Sequence, residues 1–166
     1  MITFPSIIVI TLSYVRATRD IDLLTSCDLD VLPAVAEELR SEGLNVEVRP
    51  RGDLGQDDLD GTITVHSVNT GPVQVVNIKS SIGRNALASA IIVDGYPMPV
   101  VDLEYLIALK VKANGNRDRP DVIELLTRHK NLDHNKLREL CGRYRASKKF
   151  DSILALMVSP PVPNDD

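Results

Sequence analysis

Apolar positions change their period twice along this chain, and the changes divide it into elements. In the stretch SCDLDVLPAVAEELRSEGLNVEV, Leu32, Val35, Ala36 and Leu39 recur at i, i+3, i+4 and i+7, one face of a helix. Asp28 or Asp30 is placed to cap that helix, Pro33 falls in its first turn, and Gly43 is the expected stop. LNVEV then alternates as a strand. TITVHSV and VQVVNIK read as two further strands, joined through Asn69–Pro72 as a hairpin. The β-branched run Ile7–Ile10 suits a buried strand or a core helix. Residues 51–61, rich in Asp and Gly, read as a loop. Residues 83–90 read as a short helix or loop, and AIIVDGYPMPVV as extended pieces around a turn at Asp94-Gly95.

From Asp102 the period becomes helical. DLEYLIALKVKAN, RPDVIELLTRHKN, DHNKLRELCGRYRAS and KKFDSILALMV predict four helices before the proline-rich tail SPPVPNDD, residues 159–166, which is expected to be disordered. The predicted fold class is α/β of the α+β kind: a mixed twisted sheet flanked by helices, with a helical C-terminal part. A single domain over 1–158 is expected, mostly sheet with one main helix over 1–101 and helical over 102–158.

Composition adds limits. The 166 residues are 43% hydrophobic and 25% charged, with no Trp, so the core should be aliphatic. A net charge of −4 gives no global electrostatic case for nucleic-acid binding. Cys27 and Cys141 form no CxxC and suit a reducing, cytoplasmic setting. The apolar start MITFPSIIVITLSYV is too short to cross a membrane and lacks a basic flank and cleavage site, so no membrane partner is expected.

Candidate chemistry begins at RATRDIDLLT. Asp is depleted in strands, and Asp20 and Asp22 at i and i+2 would project from one face of an extended segment. Two carboxylates so close repel, and Mg²⁺ (or Mn²⁺) would remove the conflict. The bland alternative is a strand edge paired with Arg16 or Arg19. Lys110 falls in the middle of the apolar stripe of Leu103, Leu106, Ile107 and Val111, so it must snorkel or find a partly buried anion. Asp118 and Asp121 resemble a capping pair at a helix start. His66, His129 and His134 lack metal-ligand spacing and read as surface or satisfied side chains. RYRASKK, Arg143 to Lys149, is a solvated helix end or a local patch for an acidic partner.

RATRDIDLL followed, after a long interval, by VVDLEYLIALKVKANGNRDRPDVIELL resembles the polymerase-β-like nucleotidyltransferase superfamily. It is most similar to small bacterial members akin to the nucleotidyl transferase toxins of abortive-infection and toxin–antitoxin systems. The resemblance covers roughly residues 5 to 130. It implies the nucleotidyltransferase fold and Mg²⁺-dependent transfer of a nucleoside monophosphate from an NTP to an acceptor: RNA, protein or a small molecule. It implies metal binding by Asp20 and Asp22, and nucleotide contacts from Ser6, Arg16, Thr18, Lys110, Asp118 and Asp121. A cognate antitoxin is an implied partner. The chain departs from the pattern at two places. Pro5-Ser6 stands at the Gly-Gly or Gly-Ser turn, and Asn77, in Val76-Asn77-Ile78-Lys79, is the best match to the third carboxylate. Those departures carry the alternative expectation, a catalytically degenerate module that binds a nucleotide or a partner.

Overall fold

The computed structural model describes residues 8–10 (as backbone), 21–50, 59–66, 71–95, 98–116 and 118–158. The chain divides into two compact units, Met1–Asp102 and Leu103–Asp166. The division falls at the expected change from sheet to helix.

The first unit is a mixed five-stranded sheet in the order β1-β2-β5-β4-β3. Its strands are β1 (Ile8–Ile10), β2 (Ile21–Thr25), β3 (Asn45–Arg49), β4 (Leu59–His66) and β5 (Val73–Ile78). Only β2 and β5 run parallel; β1–β2, β3–β4 and β4–β5 are antiparallel. Of the two readings of the Ile7–Ile10 run, the strand is the one realised at Ile8–Ile10, and Ile7 lies outside the described residues. β4 and β5 pair antiparallel, as the expected hairpin requires, while Asn69 and Thr70 of its turn lie outside the described residues.

One face of the sheet is buried by helix α1 (Val31–Ser41). Leu32, Val35 and Ala36 of α1 meet Val46, Ile63 and Val75 of the sheet, with Leu23, Val48 and Val65 packed around them. The alternating strands present these residues because every second side chain points the same way. Asp30 occupies the position before α1 but its side chain makes no capping bond. The helix closes as its pattern predicts: Leu44 N–H donates to Leu39 C=O and Gly43 N–H to Arg40 C=O, with Gly43 at φ +83°.

One local expectation is corrected. The segment read as a loop up to Gly61 enters the sheet at Leu59, because an irregularity in the β4–β5 pairing between Leu59 and Thr62 absorbs the extra residues. For residues 83–90 the helix is the reading realised as far as Ala88, within α2 (Ser81–Ala88), capped by the Ser80 hydroxyl, which accepts from Gly83 N–H at 3.3 Å. Helix α2 lies so close to β5 that a Cβ on Gly83 would meet Ile78 at 2.5 Å. The turn at Asp94-Gly95 sits between Ile91 and Val100, which pair as an isolated antiparallel bridge.

The second unit holds α3 (Leu103–Ala113), α4 (Asp118–Arg128), α5 (His134–Arg143) and α6 (Ser147–Val158). Its core is mostly aliphatic around one phenylalanine, with Ile107, Val111, Val122, Leu137, Phe150 and Ile153 almost fully buried. Asp133 caps α5, accepting from Asn135 N–H and Lys136 N–H, both at 3.0 Å. Among the described residues, no helix is long and apolar enough to cross a membrane.

Candidate functional site

Asp22 is the second residue of β2, half-buried. Its register partner on β5 is Gln74. Gln74 is in turn opposite Thr64 of β4, and Thr64 is opposite Glu47 of β3. Residues in register share a face of the sheet. Asp22, Gln74, Thr64 and Glu47 therefore form one transverse polar row across four strands. Adjacent strands lie about 4.8 Å apart, so each side chain is within reach of the next.

The row lies on the face turned away from α1, because the residues between its members in sequence are the ones α1 buries: Leu23, Val75, Ile63 and Val46. Beside it runs a second row, Leu24, Val76, Thr62 and Arg49. Leu24 and Thr62 are buried, and the Thr62 hydroxyl has no hydrogen-bond partner among the described residues. Glu47 accepts from Arg49 Nε at 2.8 Å and lies 3.6 Å from His66 Nε2. The bond from Arg49, reinforced by its charge and by His66, holds the Glu47 carboxyl below the usual range. The row thus runs from a half-buried acid at Asp22 to an exposed, charge-compensated one at Glu47.

Asn77 does not stand beside Asp22, and the expectation that it occupies the third-carboxylate position is corrected by the register. It pairs with Thr25, three residues along, and an odd offset puts it on the opposite face of the sheet. Its side chain is fully buried, and its amide is engaged twice. Oδ1 accepts from Cys27 N–H at 2.9 Å, and Nδ2 donates to Cys27 C=O at 3.0 Å. Strand β2 ends at Thr25, so the buried peptide groups of Cys27 would otherwise lack ladder partners. Asn77 supplies them, extending the parallel pairing by one side chain. Buried beside this clamp, the Cys27 thiol is pushed up by desolvation, partly offset by a hydrogen bond with Thr25.

In the helical unit, Lys110 finds the partly buried anion its position requires. Its Nζ donates to Asp121 Oδ2 at 2.8 Å and lies 3.8 Å from Asp118 Oδ1; only 18% of the lysine side chain is exposed. Asp118 turns its other oxygen backward and accepts from Gly115 N–H at 2.8 Å. It therefore closes the loop after α3 instead of capping α4 through its own side chain. Lys110, Asp118 and Asp121 form one cluster, and Lys110 is spent on two carboxylates.

Asp20, Ser6, Arg16 and Thr18 lie outside the described residues. Among the described residues no three His, Cys, Asp or Glu side chains gather as a metal group. What β2 and β5 offer at the row is one carboxylate and one amide carbonyl, both hard oxygen donors of the kind Mg²⁺ takes. The sequence reading missed Gln74 and Thr64. Period two was the available signal: Gln74 is the polar residue between Val73 and Val75, and Thr62, Thr64 and His66 alternate with Ile63 and Val65.

This chain matches no family model, and no curated protein matches it either.

Proposed function

We propose that the chain is a nucleotidyltransferase-like protein of the polymerase-β-like type, acting in the cytoplasm with Mg²⁺ on an NTP. In this reading it moves a nucleoside monophosphate to an RNA, protein or small-molecule acceptor. The observation that carries the reading is the pairing of Asp22 with Gln74 inside a polar row on a strand face that α1 leaves uncovered. Phosphoryl-transfer chemistry suits such a row, because that chemistry needs oxygen donors at fixed positions more than it needs a covalent nucleophile.

In this reading Asp20 and Asp22 hold the cation, and the Gln74 carbonyl takes the place beside them that Asn77 cannot reach. The cation, when bound, neutralises charge on the triphosphate. Ser6, Arg16 and Thr18 contact phosphate. Lys110 is held by Asp118 and Asp121, so its ammonium is already compensated within the helical unit.

Gln74 also favours the second reading. An amide brings no negative charge and is a poor base, so the row lacks a group to activate an acceptor hydroxyl. The alternative is a catalytically degenerate nucleotide- or partner-binding module, such as the toxin half of a toxin–antitoxin pair bound by its antitoxin.

Incubation with each labelled NTP, Mg²⁺ and a total RNA and protein extract separates the two. Metal-dependent label on an acceptor, lost in Asp22→Asn, supports transfer. Nucleotide binding in the presence of Mn²⁺ without transfer supports the degenerate module. Absence of both overturns the family reading.

A further inference from the structure

The two units differ sharply in charge. Met1–Asp102 carries 7 Lys and Arg against 14 Asp and Glu, whereas Leu103–Asp166 carries 12 against 9. The acidic total therefore hides a basic helical unit. Its cations concentrate where α5 turns into α6: Arg138, Arg143, Arg145, Lys148 and Lys149 fall within twelve residues. Some are engaged. Arg143 pairs with Glu139, Arg138 lies 3.6 Å from Asp151, and Lys149 donates to Lys112 C=O at 2.6 Å. The side chains of Arg145 and Lys148, both exposed, make no hydrogen bond or ion pair among the described residues.

The backbone at Arg145 adds an independent observation. Ala146 N–H donates to Cys141 C=O at 2.7 Å and Arg145 N–H to Gly142 C=O at 3.2 Å, the double closure that ends a helix with one left-handed residue. That residue is Arg145, at φ +59°. The same closure at the end of α1 uses Gly43, and the left-handed residue after α3 is Asn114, at φ +54°. Glycine and asparagine tolerate this conformation; a long branched cation does not favour it. Its flanks are fixed, since Tyr144, Ala146 and Phe150 are buried. The corner thus carries an exposed arginine, its side chain unpaired among the described residues, at a steric cost that glycine would remove.

We propose that the α5–α6 corner binds the phosphate backbone of a nucleic-acid duplex. Arginine forks match phosphate oxygens, and Lys148 beside them supplies a point charge. The aromatic residues of the corner, Tyr144 and Phe150, are buried, so no ring is offered for stacking on the bases of a single strand. The exposed apolar residues of α6, Leu156, Met157 and Val158, lie at its far end, so the corner itself offers no apolar anchor for a bilayer surface. The chemistry is shared by RNA and DNA duplexes. It concerns the helical unit alone and stands or falls separately from the nucleotidyl-transfer reading.

The test is fluorescence anisotropy of the full chain with a labelled RNA duplex, a DNA duplex of the same sequence, and phosphatidylserine vesicles, from 50 to 200 mM salt. Binding to either duplex, weakening linearly in log–log salt, is expected. Arg145→Gly should weaken it about 3- to 10-fold and reduce the salt slope by about 1, while its melting temperature stays level or rises. Lys148→Gln should do the same without touching the backbone. Unaltered duplex affinity in the Arg145→Gly/Lys148→Gln double variant, no duplex binding at 50 mM salt, or equal binding to the vesicles overturns the proposal.

Discussion

Asp22 of β2 and Gln74 of β5 stand abreast on neighbouring parallel strands, on the sheet face opposite α1. Gln74→Glu therefore places a second carboxylate directly beside the first. Without metal the like charges should cost about 1 kcal/mol, lowering the melting temperature by about 2–4 °C. With Mg²⁺ and an NTP the sign should reverse, since the new charge becomes a ligand. Thermal melts of Gln74→Glu with and without Mg²⁺ and nucleotide check this. A shift that ignores both would separate Gln74 from any metal site.

Asn77→Asp is expected to behave differently. The substitution replaces the Nδ2 donor by an acceptor facing Cys27 C=O, and puts a charge where no water reaches. A loss of about 3–5 kcal/mol follows from an uncompensated buried charge. Mg²⁺ and NTP should not restore it. Urea denaturation of the variant with and without them is the measurement; metal-dependent recovery would return Asn77 to the site.

The Lys110 cluster is open to a double-mutant cycle. Lys110→Met keeps the apolar stem but leaves Asp118 and Asp121 facing each other without the cation. Because the three side chains are 18%, 22% and 33% exposed, solvent screens the pair in part. A loss of about 1–2 kcal/mol is expected. Asp121→Asn in the Lys110→Met background should recover part of it, giving a coupling of about 1 kcal/mol. Additive losses would mean the 2.8 Å contact is idle in solution.

Alkaline pH should weaken the helical unit through Cys141. Burial, aided by the nearby Asp151 charge, pushes its thiol from 9.0 up to about 11. The folded state keeps a proton that the unfolded chain releases. The associated stability is complete below about pH 9 and is lost as pH rises through about 11. Urea midpoints should fall across that window, and the fall should shrink in Cys141→Ala. At pH 8 the native thiol should resist alkylation and react only after denaturation; rapid native labelling would contradict its burial.

Much of the architecture was legible in the sequence. The α1 stripe, its Gly43 stop, the β4–β5 hairpin and the helical run after Asp102 all follow from the 3.6 and 2 periods with local turn chemistry. These are short-range effects, decided by which neighbours a side chain clashes or hydrogen-bonds with. The isolated demand of Lys110 for an anion was also readable, because a lysine in an apolar stripe violates the pattern. Its partner was less so, since the turn after α3 decides which carboxylate arrives.

What only the tertiary structure decided is the composition of the row around Asp22. VQVVNI is apolar at Val73, Val75, Val76 and Ile78, so its own pattern does not say which face is buried. The choice comes from α1, which buries Val75 with Leu23, Ile63 and Val46. Once that face is set, a period of two admits Gln74 beside Asp22 and sends Asn77 to the other side. A motif comparison slides freely by three residues. A parallel ladder does not, because an odd slip would turn Val75 away from α1 and bring Gln74 into the core.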